Sequence, residues 1–211
     1  MLKFIRKWNN FLLITMPLLL SSCAFAPFAM TPTARTNGAG QQLMQASLVE
    51  AKIPSFRYEY GLLPIMDVGA EGEFGFGSYV LGLYSKVAFG TTGDQGLSTA
   101  AILGLGKNVF GEGEYWYAGP IVSYKFTYFE PSILLRYTDT RVDDVDFNQA
   151  SGDITFDGDH LRYWYLVLSA TVYPVDWFGI VFQMADALNV NGGGGNFING
   201  TVFNVGINYK L

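Results

Sequence analysis

The chain of 211 residues has one cysteine, one histidine and few basic residues, with 13 Lys and Arg against 18 Asp and Glu. A single cysteine excludes an internal disulfide. The shortage of positive charge argues against nucleic-acid binding, which needs a basic patch. Beyond residue 22, no apolar run approaches the roughly 18 residues of a transmembrane helix, and no helical periodicity of convincing length is present.

Glycine and aromatic residues are abundant instead, with 25 Gly, 17 Phe, 13 Tyr and 4 Trp. This mixture favours β-structure, because aromatic side chains suit strands and glycines suit tight turns. If the chain has a membrane role, strands must therefore supply it.

The first 22 residues have the parts of a secretory leader. An apolar stretch at 11–20 follows three basic residues, Lys3, Arg6 and Lys7. The stretch is too short to span a bilayer. It runs into Leu20-Ser21-Ser22-Cys23, which resembles the lipobox of bacterial lipoproteins. The resemblance implies that residues 1–22 are removed and that Cys23 is lipidated, for example with palmitate. An ordinary signal peptide cut after Ala26 is the alternative.

Removal of this leader takes three basic residues and no acidic one, which leaves a formal net charge of −8. The remainder is long enough for one domain. Residues 23–38 lack periodicity and contain two prolines, so they are predicted to form a tether. Residues 39–211 are predicted to form the folded domain.

That domain consists of segments of about ten residues in which apolar and polar side chains alternate, the length of a tilted membrane strand. Strands are predicted at 40–50, 55–62, 65–74, 79–89, 97–107, 114–126, 128–138, 161–173 and 177–187, with a tenth at the end of the chain. An even number places both termini at one end of a closed barrel. Eight strands remain the alternative, because the first and fifth patterns are weak.

The last strand carries a further signal. Phe203, Val205, Ile207, Tyr209 and Leu211 lie on one face, and Asn204, Gly206, Asn208 and Lys210 lie on the other. The ending resembles the C-terminal signal of bacterial outer-membrane β-barrels, which the barrel-assembly machinery reads. Asn204, Gly206, Tyr209 and Leu211 occupy the matching positions, with Leu211 in place of the commoner phenylalanine.

The resemblance implies an all-β, closed antiparallel up-and-down transmembrane barrel in the bacterial outer membrane, with lipids and the assembly machinery as partners. Within lipid every backbone N–H and C=O group needs a partner in the protein, so the sheet would have to close. Its outer face would then contact lipid and would be apolar. The inner face would carry a lumen charge network: Arg57, Glu59, Asp67, Glu71, Lys86, Lys125, Glu130 and Arg136. Charges of both signs in so narrow a lumen predict a plugged or very narrow interior. A soluble barrel with the two faces reversed is the alternative.

Two further groups of residues are candidates for specific roles. Tyr115-Trp116-Tyr117, Tyr163-Trp164-Tyr165, Tyr173 and Trp177 lie near strand ends, so they are candidate rings of the aromatic girdles at headgroup depth. The polar stretch 139–160 holds seven aspartates and His160. It could bind Ca²⁺ or Mg²⁺, but its order does not fit an EF-hand loop.

We therefore expect a non-enzymatic barrel lipoprotein with two long surface loops, one acidic and one glycine-rich, that serves a structural or surface-interaction role. No cofactor and no metal site are predicted, and no surface ligand is identified. A narrow ion or solute pore is the first alternative. A surface hydrolase or lipid-modifying enzyme that uses His160 is the second, although no nucleophile can be placed beside that histidine.

Overall fold

Ten antiparallel strands form a closed barrel. The structure is a computed structural model that describes residues 33–50, 53–75, 78–91, 95–108, 113–141, 160–191 and 201–211. The strands are β1 (Gln42–Val49), β2 (Ile53–Leu63), β3 (Met66–Gly75), β4 (Ser78–Thr91), β5 (Gly96–Asn108), β6 (Gly113–Lys125), β7 (Phe129–Arg141), β8 (His160–Val175), β9 (Phe178–Asn191) and β10 (Val202–Lys210).

Each strand pairs with its neighbours along the chain, and β1 closes the sheet by pairing with β10. The prediction of a closed ten-strand, up-and-down barrel is confirmed, and the eight-strand alternative is wrong. In the described part of the chain, there is no helix that is long and apolar enough to cross a membrane.

The strands reach further than predicted on the side of the long connections. β7 ends at Arg141 rather than at residue 138, and β9 ends at Asn191 rather than at residue 187. Asp139 pairs with Arg162 in the ladder between β7 and β8, and Thr140 pairs with Leu161. The predicted bounds of both strands stop where polar residues begin. Backbone pairing continues beyond the apolar part of each strand, so the strands themselves are longer.

The two faces of the sheet differ sharply in chemistry. The outward face carries large apolar side chains that are 36–72% exposed, including Leu83, Phe89, Leu103, Ile133 and Phe182. The inward face carries polar and charged side chains together with tyrosines. Arg57, Lys86 and Arg136 are among the largest side chains that are fully buried. The hydrophobic surface of this protein is therefore outside, and its charges are inside.

Glycines on the inner wall make room for tyrosine rings. Gly69 is paired with Tyr84, Gly104 with Tyr117 and Gly106 with Tyr115 on adjacent strands. A Cβ atom added to any of these glycines would overlap the tyrosine opposite. The glycine-rich pattern of β5 thus reflects ring packing inside the lumen, where glycine and aromatic side chains complement each other across a strand pair.

The barrel has two distinguishable ends. The terminal end holds Leu211, the start of β1 and the connections after even-numbered strands, such as Asp176–Trp177 between β8 and β9. The loop end holds the connections after odd-numbered strands. The two longest connections, between Arg141 and His160 and between Asn191 and Val202, both leave the barrel at the loop end.

Candidate functional site

Four charged side chains form an ion cluster inside the barrel: Arg57, Glu59, Asp67 and Lys86. The Lys86 Nζ lies 3.0 Å from Asp67 Oδ2 and 3.3 Å from Glu59 Oε2. Arg57 donates to the other oxygen of Glu59. All four side chains are at most 4% exposed. A buried charge is tolerated when it is paired and hydrogen-bonded, and this cluster has two charges of each sign.

The Arg57 guanidinium also contacts an aromatic ring. Its Nε donates to Tyr84 Oη at 2.6 Å, and its Cζ lies 4.2 Å from the centre of the Tyr84 ring. Arg57 is paired across the ladder with Glu71, which accepts a hydrogen bond of 2.8 Å from Tyr117 Oη. The ion cluster is thereby joined to the aromatic residues of the next strands.

Four tyrosines and one arginine fill the part of the lumen nearer the loop end. This tyrosine cluster consists of Tyr115, Tyr117, Tyr163 and Tyr165 around Arg136, and each of these side chains is at most 3% exposed. The Arg136 Cζ lies 5.1 Å from the Tyr117 ring centre and 5.2 Å from the Tyr165 ring centre. A cation between two ring faces is attracted by both. These five side chains are therefore packed within the barrel and shielded from solvent.

The terminal end is crossed by residues 33–38, which we call the mouth segment. Its Ala34 N–H donates to Ser123 Oγ at 3.1 Å, and its Thr36 Oγ1 donates to the Pro64 carbonyl at 2.7 Å. Asn37 donates from its backbone N–H to the Asp67 carboxylate at 3.1 Å and from its side chain to Glu59 Oε2 at 2.8 Å. The segment therefore bridges β2 and β3 on one side of the lumen to β6 on another.

Arg35 of the mouth segment reaches a second buried carboxylate. Its Nε lies 3.6 Å from Glu130 Oε1, and its Nη2 donates to the Gly96 carbonyl at 2.7 Å. Glu130 also accepts hydrogen bonds from Ser123 Oγ at 2.8 Å and from Tyr173 Oη at 3.1 Å. The described end of the predicted tether is thus docked inside the domain.

A polar cavity of about 330 Å³ lies between the mouth segment and the barrel wall. Lys125, Lys210, Asn208 and Tyr173 contribute to its lining from the strands, and Arg35 and Asn37 contribute from the segment. Lys125 Nζ lies 5.0 Å from the centre of the Tyr173 ring.

The eight residues of the predicted lumen charge network lie on the inner wall. Seven of them are at most 4% exposed, and Lys125 is half-buried at the cavity. Arg57, Glu59, Asp67 and Lys86 come together in the ion cluster. Arg136 belongs to the tyrosine cluster, Glu71 accepts a hydrogen bond from Tyr117 of that cluster, and Glu130 lies beside the mouth segment. Glu73, which the sequence analysis missed, is also buried on the inner wall of β3.

The girdle prediction is wrong for five tyrosines. Tyr115, Tyr117, Tyr163, Tyr165 and Tyr173 point inward and are at most 8% exposed. The three tryptophans beside them are outward and 40–55% exposed: Trp116, Trp164 and Trp177. Successive side chains of a strand point to opposite faces, so one Tyr-Trp-Tyr run cannot place all three rings on the membrane side.

The residues of the predicted assembly signal are divided between the two faces. Asn204 is buried and Gly206 packs against Ser47 of β1, where an added Cβ would lie 2.8 Å from the Ala46 carbonyl oxygen. Tyr209 faces outward, and its ring is edge-on to Trp177 at 5.5 Å between centres. Leu211 is 58% exposed. Recognition by assembly machinery stays a prediction.

The remaining predicted sites lie outside the described residues. Cys23 is one of them, as are Asp143, Asp144, Asp146, Asp153, Asp157 and Asp159 of the acidic stretch. The backbone of His160 begins β8, but its side chain is not among those described. Asp139 belongs to β7 and pairs with Arg162 at 2.9 Å. Within the described part, no group of three or more His, Cys, Asp or Glu could hold a metal ion.

Solved structures share the general shape. The KdgM porin in complex with disordered oligogalacturonate has a TM-score of 0.44 at 6% identity, over 80% of this chain and 98% of that one. The N-terminal β-barrel domain of Pseudomonas aeruginosa OprF has a TM-score of 0.41 at 10% identity, over 82% and 99%. The outer membrane protease OmpT from Escherichia coli has a TM-score of 0.43 at 12% identity, over 81% and 93%.

At these TM-scores and identities, the likeness carries no argument about what this chain does. No protein-family model matches the chain, and no curated protein matches it.

Proposed function

We propose that this protein is an integral protein of the bacterial outer membrane whose barrel is closed to solutes and carries two long loops at the cell surface. The placement in a membrane is supported by the outward face. Large apolar side chains are exposed on each of the ten strands, whereas a soluble monomer rarely exposes a continuous apolar surface beyond a few hundred Å². β1 has 8 residues and the other nine strands have 9–16, against about 9–11 residues for a tilted strand that crosses the hydrocarbon region.

The observation that carries the proposal of a closed barrel is the packing of the lumen. Arg57, Lys86, Tyr117, Arg136 and Tyr165 are each at most 2% exposed within the barrel. An open channel would leave such side chains in contact with water. Paired charges and stacked rings instead fill the interior of the barrel, and their contacts between strands help to hold the strands in register.

The loops are the part of the protein that this rigid support would display. Residues 142–159 contain six aspartates, and residues 192–200 contain a run of four glycines. Both connections leave the loop end, opposite the chain termini. In bacterial barrels the longer connections are extracellular and the short turns are periplasmic. We therefore assign a structural or surface-interaction role to the protein and no catalytic step.

Lipidation of Cys23 is part of this proposal. Nine residues separate Cys23 from Thr33 at the cavity, and extended chain covers about 3.3–3.6 Å per residue. That length is enough for acyl chains on Cys23 to insert into the leaflet at the terminal end while the mouth segment stays docked. Cys23→Ser should abolish incorporation of labelled palmitate, and continued labelling of this variant would refute lipidation at this site.

Conductance in planar bilayers tests the closed lumen. The mature protein should give no stable channels, because its interior is filled. A variant with Tyr117→Ala, Arg136→Ala and Tyr165→Ala should conduct, provided that heat-shifted migration on a gel shows a folded barrel. Stable channels of similar size in the unaltered protein would contradict the proposal and favour the narrow pore instead.

Surface display is tested by epitope insertion in whole cells. A tag after residue 150 should bind antibody on intact cells, and the same tag after residue 93, between β4 and β5 in sequence, should bind only after permeabilisation. The reverse result would show that the loop end faces the periplasm. His160→Ala should leave the protein's surface interactions unchanged, and loss of a hydrolytic activity in that variant would support the enzyme alternative.

A further inference from the structure

We propose that the cavity at the terminal end is a binding site for a small organic oxyanion, a molecule that carries a carboxylate or phosphate group. This site goes beyond the proposed function and does not depend on it, because binding is measurable on the barrel in detergent.

Both carboxylates at the cavity are satisfied by the protein. Glu59 contacts Arg57, lies 3.3 Å from Lys86 Nζ and accepts a hydrogen bond of 2.8 Å from Asn37. Glu130 pairs with Arg35 at 3.6 Å and accepts hydrogen bonds from Ser123 and Tyr173. Neither carboxylate therefore forms a direct ion pair with Lys125 or Lys210 among the described residues.

Lys125 and Lys210 are the basic residues left over. Both line the cavity: Lys125 is half-buried, and Lys210 is exposed at the end of β10. Within the described residues, neither Nζ has a carboxylate at ion-pair distance, and Lys125 contacts only the face of the Tyr173 ring. Two ammonium groups that line one concave space, neither of them at ion-pair distance from a described carboxylate, create a positive potential that attracts an anion.

Asn208 supplies an independent sign of a polar ligand. Its side chain lines the same cavity and is 5% exposed, yet its Oδ1 has no hydrogen-bond partner among the described residues. Buried polar groups in native proteins are rarely unpaired. A side-chain amide has both donors and an acceptor, so Asn208 can hydrogen-bond the oxygen or hydroxyl groups of a bound molecule.

The size of the cavity limits the ligand. At about 330 Å³, the space is at the lower end of the range of small-molecule sites. Thr33, Arg35 and Asn37 form one wall, so the ligand would hold the mouth segment against the barrel. Binding and docking of the segment should then be coupled, since a ligand that contacts both parts binds only the docked form.

Isothermal titration of the folded barrel in a non-ionic detergent at low ionic strength tests the site. Citrate serves as the carboxylate probe and inorganic pyrophosphate as the phosphate probe. At least one should bind, and Lys125→Gln and Lys210→Gln should each weaken binding at least tenfold. Lys107→Gln is the matched control, because this lysine is 74% exposed at the loop end and pairs with Glu114.

Trypsin cleavage after Arg35 provides a second readout. The bound probe should slow the appearance of the product that begins at Thr36, and it should not do so in the Lys125→Gln/Lys210→Gln double variant. The proposal is overturned if neither probe binds. It is also overturned if Lys107→Gln weakens binding as much as the cavity variants, because binding would then follow net charge rather than the site.

Discussion

The inner and outer walls of this barrel are made by the same strands and differ at every second residue. Leu83 is 63% exposed on the outer wall, and the adjacent Tyr84 is 4% exposed on the inner wall. Leu135 and Arg136 show the same contrast, at 36% and 1%. Alternation alone therefore does not tell which face of a sheet is buried, because here the apolar side chains lie outside and the charged side chains lie inside.

The two walls are also stabilised by different kinds of interaction. Outer side chains have few close neighbours within the protein, so their contribution depends on the surrounding solvent. Inner side chains are held by ion pairs, hydrogen bonds and ring contacts, and each loss leaves a buried partner unsatisfied. Substitutions on the two walls should therefore destabilise the barrel for different reasons.

The largest effect is expected inside, at Glu59. Glu59→Ala leaves Arg57 and Lys86 with one carboxylate fewer in a buried site, and removal of one partner of a buried pair costs about 3–5 kcal/mol. Urea unfolding in lipid vesicles measures this loss. Glu114→Ala is the control, because its pair with Lys107 is 67–74% exposed and is worth about 0–1 kcal/mol. An equal loss of unfolding free energy in Glu59→Ala and Glu114→Ala would contradict a buried ion cluster.

A positive charge on the outer wall should be the next most costly change. Leu103 lies in the middle of β5, and Leu103→Arg should destabilise the barrel by about 2–4 kcal/mol in lipid, as expected at the bilayer midplane. Leu63→Arg is matched in exposure, at 51% against 52%, but lies at the end of β2. It should cost about 0–1 kcal/mol. The same small cost at both positions would mean that the outer wall faces water.

A smaller effect is expected where glycine and tyrosine meet on the inner wall. Gly104→Ala places a methyl group into the Tyr117 ring, and such overpacking costs about 1–3 kcal/mol. Gly90→Ala is the control, because an added Cβ there has only Thr99 Oγ1 within reach, at 3.9 Å. If both variants unfold at the same urea midpoint as the unaltered protein, the Tyr117 ring does not pack against Gly104 as described.

Strand number and facing were predictable from the sequence, because apolar and polar residues alternate with period two. In β8, Trp164, Leu166 and Leu168 form one face, and this already assigns Tyr163 and Tyr165 to the other. The girdle prediction is wrong for these tyrosines because strand parity, and not ring chemistry, sets the face to which a side chain points. Tyrosine suits a membrane interface as well as a polar interior, so residue type alone could not decide.

The docking of the mouth segment could not be predicted. Residues 33–38 have no periodicity, and their partners lie far along the chain, such as Ser123 for Ala34 and Asp67 for Asn37. These hydrogen bonds exist only once the barrel has closed and has brought β3 and β6 around the same space. The pairing of individual charges in the ion cluster has the same origin, since spacing along one strand does not reveal cross-strand neighbours.

Tryptophan quenching by brominated lipid tests the orientation of the two walls most directly. In a chain that starts at residue 23, and so lacks Trp8, with Trp116, Trp164 and Trp177 changed to Phe, Leu83→Trp places an indole on the outer wall and Tyr84→Trp places one inside. Lipids brominated along the acyl chain should quench the fluorescence at position 83 strongly and that at position 84 weakly. Equal quenching, or stronger quenching at position 84, would contradict a barrel with its apolar wall in the bilayer.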